Sequence, residues 1–178
     1  MSEQSAAGGG FLAGVVRDWE AAAAPARSAG IRVVHTRFGI VQSTSGGALK
    51  TQLPIFRMGL GGPVGGGRQF VSWVSIDDTV AAIAYALAHD TLAGPVNVTA
   101  PNPVTQAQYA RALGRALGRP AVMPAPAFAV RLALGEFAGE VLNGARVTPQ
   151  RLVESGYAFR HPELEPALAD LLARRAAP

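Results

Sequence analysis

An α/β fold with a small helical cap is what this sequence of 178 residues predicts. Three observations point there. Residues 31–41 (IRVVHTRFGIV) are nearly continuous in apolar and β-branched side chains, the composition of a central strand covered on both faces in a parallel sheet. Helical periodicity precedes that run and also follows a second one at 69–76, and a short strand at 95–99 continues the alternation. From Thr105 onward strand-like runs give way to helical patterns, which suits a cap beside a sheet.

Residues 1–10 (MSEQSAAGGG) read as a disordered tail, polar and ending in glycines. Residues 11–24 read as an amphipathic helix: Leu12, Val15, Val16, Trp19 and Ala23 share a face, Arg17, Asp18 and Glu20 point away, and Pro25 and Gly30 close the segment. A short helix follows strand 31–41 at 49–58, with Leu49, Leu53 and Phe56 on one side. Gly59, Gly61, Gly62, Gly65, Gly66 and Gly67 then crowd around Pro63, predicting a loop of tight turns and close backbone approach. After strand 69–76, Asp77-Asp78-Thr79 opens a helix over 78–89, aspartate standing where capping and the helix dipole favour it.

Thr105 caps a helix reaching Leu117, ended by Gly118 and Pro120. Pro124 and Pro126 lead into an apolar helix over 128–137, and Thr148-Pro149 starts another that stops at Gly156. Residues 163–175 make a last amphipathic helix with Leu164, Leu168, Leu171 and Leu172 inward. The chain divides into an α/β body over 11–119 and a helical unit over 120–175.

Composition removes several classes of function. Proline, glycine or charge breaks every apolar stretch before the roughly 18 residues a membrane helix needs. The N-terminus has no basic region leading into an apolar one, so the expected location is the cytoplasm, with no membrane partner. Zero cysteines exclude disulfides, thiolate metal sites and cysteine nucleophiles. The net charge of +4 rests on scattered arginines, Lys50 being the only lysine. Arg111, Arg115 and Arg119 line one helix edge as a solvated face, and no aromatics interleave them, so no nucleic-acid partner is expected.

The usual catalytic patterns fail in turn. Gly59, Gly62 and Gly65 match a GxxGxxG spacing, but a helix stands before them and a strand after, the reverse of what a dinucleotide fingerprint requires. His35, His89 and His161 show no metal-ligand spacing, and no metal site is expected. There is no GxSxG elbow, and Asp77 and Asp78 read as capping residues before an acid/base pair.

A family resemblance adds to this reading. FLAGVVRDWEAAA, RVVHTRFGIV, GGALKTQLPIFRMGLGGPVGGGRQFVSWVSIDD, GPVNVTAPNPVTQAQYARALGRALGRP, RLALGE and TPQRLVESGYAFRHPELEPAL resemble the C-terminal part of NAD-dependent epimerase-like proteins among the extended short-chain dehydrogenases/reductases. The last segment is similar to the domain of unknown function that ends them. The resemblance implies the C-terminal part of a Rossmann-like doubly wound sheet, with a family N-terminal half, and its glycine fingerprint, lying outside this chain. It implies NAD or NADP as cofactor, not expected to be held by this chain alone. Phe38, Gly39 and Ile40 would face the nicotinamide, and Arg37, Arg68, Gln69 and Trp73 a small, nucleotide-linked substrate.

The sequence also departs from the family. Tyr85, Tyr109 and Tyr157 are followed four positions on by His89, Leu113 and His161, so no Tyr-x-x-x-Lys pair exists, and Phe11 and Val15 stand where it would lie. SIDD carries Ser75 where the family has His-x-Asp-Asp. No catalytic residue is assigned, and the chain is expected to bind substrate at most. Structural roles stand beside the implied ones: an ion pair for Arg37, core packing for Trp73, a turn for Asn97. Two further readings stay open, a non-catalytic interaction module like relatives labelled cell-division inhibitors, and a truncated gene product. A homo-oligomer or a partner chain would cover the sheet edge that a missing half leaves open.

Overall fold

The computed structural model describes residues 1–176, an α/β body with parallel strand pairs and a helical C-terminal segment. The chain begins with α1 (Phe11–Ala21) and α2 (Ala24–Ser28). The expected single helix over 11–24 therefore breaks at Ala21, and Pro25 starts α2 instead of closing α1, because its fixed φ and missing N–H suit a first helical turn. No residue of α1 is buried, and its large aromatics stand in the open: Phe11 is 82% and Trp19 79% exposed. Residues 1–5 are not a loose tail. The Met1 carbonyl accepts from Thr148 N at 2.9 Å, and Glu3 is buried with Oε1 accepting from Asn97 N at 2.9 Å.

The expected strand 31–41 is two strands, β1 (Val34–Phe38) and β2 (Ile40–Gln42). Gly39 divides them because the chain changes partner there. β1 pairs in parallel with β5 (Gly94–Val98), and β2 pairs in parallel with β4 (Trp73–Ser75). Ile31, Phe38 and Ile40 remain exposed, so β1 is not the covered central strand its composition predicts. The strand expected over 69–76 also splits, into β3 (Phe70–Val71) and β4 around Ser72. β3 turns away to pair antiparallel with β6 (Val104–Thr105).

Two apolar clusters hold the body together. In the first, α3 (Gly47–Arg57) contributes Leu49, Leu53 and Phe56, the face its periodicity predicts, against Trp73, α5 (Gln106–Ala116) and α9 (Leu164–Ala176). Leu113, Leu164 and Leu168 meet there, whereas Leu172 is only half-buried at the edge. A polar bond crosses this core: Tyr109 Oη donates to Gln42 Oε1 at 2.8 Å, and burial pushes the Tyr109 phenol up from its ordinary value of 10.0. The second cluster sits between the β1–β5 and β2–β4 pairs and α4 (Ile76–Ala88), around Val74, Val96, Val98 and Leu152.

Local signals set the helix starts. α5 opens with a full capping box, Thr105 Oγ1 accepting from Gln108 N while the Gln108 side chain returns to the Thr105 backbone. α4 is capped by Ser75, not by the aspartates: Ser75 Oγ accepts from Asp78 N at 3.0 Å. The apolar stretch expected as one helix over 128–137 is α6 (Ala127–Leu134), one 3₁₀ turn (Gly135–Phe137) and α7 (Ala138–Leu142). Gly135, at φ 56°, breaks it. α8 (Gln150–Glu154) completes the elements, and no described helix is long and apolar enough to cross a membrane.

Leu168 is fully buried between α9 and α5. Leu168→Ala is expected to lower unfolding stability by about 2–5 kcal/mol, read from the midpoint of urea unfolding.

Candidate functional site

A cleft of about 640 Å³ opens beyond the C-terminal ends of β1 and β5, where ligands bind in open α/β sheets. Arg37, Phe38, Gly39 and Ile40 form its floor, with Asn97 and Thr99 beside them. Leu12, Val16, Arg17 and Glu20 of α1 make one wall, and Phe70, Ser72 and residues 143–145 and 147 make another.

The floor depends on how closely the backbones meet at Gly39. Gly39 N donates to Val98 O at 3.0 Å and Ile40 N to Ser72 O at 2.8 Å, so adjacent residues bond to different neighbouring strands. A Cβ at position 39 would lie 2.5 Å from Ser72 O and 2.9 Å from Thr99 Cγ2. Only glycine fits that crossing. The far wall is fastened to the same place: Ser72 Oγ donates to Ala145 O at 2.7 Å and accepts from Val147 N at 2.8 Å. Gly144 lies so close that a Cβ there would stand 2.0 Å from Phe70 O.

The glycine loop does similar work elsewhere. A Cβ on Gly62 would be 2.2 Å from Met123 O, and Ala125 N donates to Pro63 O at 2.8 Å while Gly65 N donates to Ala125 O at 2.8 Å. Its glycines let the segment before α6 run tightly along the loop.

The residues picked out by resemblance separate in space. Phe38, Gly39 and Ile40 line the cleft together. Arg37 lines it too, but its guanidinium is held by Glu20, with Nε to Oε1 at 2.7 Å and Nη2 to Oε2 at 2.8 Å. That hydrogen bond is the main reason the Glu20 carboxyl lies below its ordinary 4.5, against an opposing push from burial. Trp73 does not reach the cleft; it is fully buried in the first core, its indole N–H donating to Asn102 O at 3.1 Å. Gln69 donates to Val64 O at 2.9 Å, and neither it nor the exposed Arg68 lines the cleft. Resemblance alone grouped these residues, and the break of strand 69–76 at Ser72 sends β3 and β4 to different partners.

Sequence reasoning missed Ser72, Thr99 and Asn143 in the cleft, because isolated polar residues near strand ends carry no spacing signal. It also missed a buried polar cluster beneath α4. Asp78, 1% exposed, accepts from Arg160 N at 2.8 Å, His161 N at 2.9 Å and Ser75 Oγ at 2.8 Å. Tyr157 Oη also reaches it, at 3.3 Å from Oδ1, and burial followed by the Asp78 charge pushes that phenol up. His161 lies with Nδ1 3.1 Å from Ser75 Oγ and Nε2 2.9 Å from Asp170 Oδ2. The sequence signal for it was split between SIDD and FRHP, 86 residues apart.

Serine, histidine and aspartate in a row invite comparison with a hydrolase triad, but Ser75 is fully buried and its hydroxyl both caps α4 and bonds Asp78. Oxygen and nitrogen atoms of Asp77, His161 and Asp170 lie within 4.8 Å of one another, as a metal would require. Arg174 already bridges the two carboxylates, with Nη1 3.0 Å from Asp77 Oδ1 and Nη2 bonded to Asp170. Its hydrogen bond, ahead of that from His161, holds the Asp170 carboxyl below its ordinary 3.8. The cluster is a clamp that fixes residues 157–161 and α9 to the start of α4.

Comparison with known proteins places this geometry. Residues 125–171 match a domain of unknown function, DUF1731. An epimerase family protein of Mycobacterium bovis is 46% identical over 169 residues, covering 94% of this chain and 56% of the relative. The human epimerase family protein SDR39U1, crystallised with NADPH, superposes with a TM-score of 0.92 at 38% identity, covering 97% of this chain and 59% of that one. The sequence is thus similar to epimerase family proteins, and the fold is Rossmann-like α/β. The chain also superposes on a nucleoside-diphosphate sugar epimerase from Corynebacterium glutamicum, with a TM-score of 0.79 at 33% identity over 98% of this chain and 33% of that one. It spans about half the length of the curated relatives it matches. In this frame DUF1731 has a visible structural part: it supplies the cleft wall at 143–147 and the His161 side of the clamp.

Two outcomes are expected. Asp78→Ala leaves several buried donors without an acceptor and lowers stability by about 3 kcal/mol or more in chemical unfolding. Because the folded chain holds Glu20 below 4.5, its pairing contributes stability above that value and loses it as pH falls through the folded pKa. The parent's Tm is therefore expected to drop more steeply than that of Glu20→Gln between about pH 5 and pH 3.

Proposed function

We propose that this chain forms the nicotinamide- and substrate-facing side of an NAD(P)-dependent epimerase or oxidoreductase whose substrate is a nucleoside-diphosphate sugar. The observation that carries the reading is the position of Phe38, Gly39 and Ile40 on the floor of a cleft at the C-terminal ends of parallel strands. The similarity to a relative crystallised with NADPH, and to one described as a nucleoside-diphosphate sugar epimerase, supports it. A bound nicotinamide would supply hydride chemistry. The chain's own part is positional. Phe38, Ile40, Phe70 and Val147 offer apolar surface that excludes water and packs on a ring, while the Glu20–Arg37 pair closes one side with its charges matched.

Its tyrosines do not supply the proton. Tyr109 and Tyr157 lie in the two cores, bonded to Gln42 and Asp78, and burial pushes both phenols up. Tyr85 donates to Ser155 O at 2.6 Å, away from the cleft. Catalysis through this cleft draws its acid/base from outside these residues.

Saturation-transfer NMR on the full chain with NADPH tests the reading. Nicotinamide-ring protons are expected to receive more saturation than adenine protons, and Ile40→Asp to remove the difference. Adenine-dominated transfer, or none, overturns it. A second reading, an interaction module, draws on the exposed Phe11 and Trp19 of α1. It requires Trp19→Ser to lower the sedimentation coefficient by dissolving an assembly.

A further inference from the structure

Most polar side chains at the cleft floor are engaged by the protein itself. Arg37 is held by Glu20, the Asn97 carboxamide donates to Thr148 O at 3.1 Å, and the Ser72 hydroxyl is bonded on both sides. Thr99 differs. It follows β5, lines the cleft, is only 2% exposed, and its Oγ1 has no hydrogen-bond partner. Its methyl already has a task, since Cγ2 packs at the crossing beside Gly39. Two residues after Asn97, itself in register with Arg37, it projects by strand alternation to the side of the sheet that those two side chains share.

A buried hydroxyl without a partner destabilises the chain that carries it, and valine would fill the same space without that cost. Groups that break such local rules concentrate where a ligand completes them. A hydroxyl both donates and accepts, so it suits another hydroxyl or a carbonyl oxygen and serves a lone cation or a bare apolar ring poorly. With Phe38, Ile40, Phe70 and Val147 beside it, the matching group is an oxygen on a ring with apolar faces.

We infer that Thr99 is a specificity-determining residue whose Oγ1 hydrogen-bonds a hydroxyl or keto oxygen of the hexose ring of a substrate seated in this cleft. The inference rests on the sugar-nucleotide reading above. It explains why the chain keeps a hydroxyl where packing favours valine. A site with a buried group waiting for a partner rejects analogues lacking that oxygen far more strongly than an apolar pocket could.

Thr99→Val and Thr99→Ser in the full chain, with UDP-glucose as the probe, test this. Without ligand, Thr99→Val is expected to melt about 2–4 °C above the parent, since it removes an unsatisfied group. A lower Tm would mean the hydroxyl is structurally bonded and would overturn the inference. With UDP-glucose, saturation transfer to the glucose-ring protons is expected in the parent and in Thr99→Ser. Thr99→Val is expected to bind about tenfold more weakly, the worth of one good hydrogen bond. Equal binding by the parent and Thr99→Val sinks the role of Thr99 while leaving the sugar-nucleotide reading in place. No glucose-ring response in the parent removes that reading, and the inference with it.

Discussion

The contact between the backbone of Gly39 and the carbonyl of Ser72 sets the rest of the molecule. Two strand pairs can share one continuous stretch of chain only if the residue at the handover has no side chain, because a Cβ there would lie 2.5 Å from that carbonyl. The handover turns residues 37–40 toward the cleft, brings Thr99 against the crossing and sets Ser72 where its side chain can hold residues 145 and 147. The constraint is steric. It depends on room for a methyl group, not on the left-handed backbone that usually makes glycine necessary.

Asp78 is the second fixed point, and it acts through charge. A buried carboxylate is tolerated when its oxygens are fully hydrogen-bonded, and here Ser75, Arg160, His161 and Tyr157 provide the donors. Three of the four come from or flank the segment 157–161, so the cap is positioned by a polar contact with strict geometry where an apolar contact would permit sliding. Arg174 and His161 then spread the charge over Asp77 and Asp170. The first cluster works differently: α3, α5 and α9 meet through leucines, a contact set by volume.

Elements governed by periodicity were legible from sequence. The buried face of α3, the Thr105 cap of α5 and the inward Leu164, Leu168 and Leu171 of α9 follow from local sequence signals alone. What periodicity could not show is where a strand changes neighbour. Residues 31–41 and 69–76 have the composition of single strands, and both break because sheet partners, which are tertiary facts, differ along their length. Trp73, read by resemblance as facing substrate and otherwise as core packing, lies in the core. Of the cleft, the stretch at 37–40 was accessible through resemblance. Ser72, Thr99 and Asn143 were not, since their meaning lies in which backbone they touch or fail to touch.

Ser72 belongs to two bodies at once. Its backbone carbonyl anchors the handover to β2, and its hydroxyl grips the wall that DUF1731 contributes. A ligand that wedges the cleft apart has to break both hydroxyl bonds or drag the start of β4 with it, and Ser75, three residues along, caps α4 and holds the His161 clamp. The hydroxyl therefore works as a tie rod: strain applied at the cleft mouth is delivered to the far end of the cap through a few covalently linked residues, without any element having to unfold.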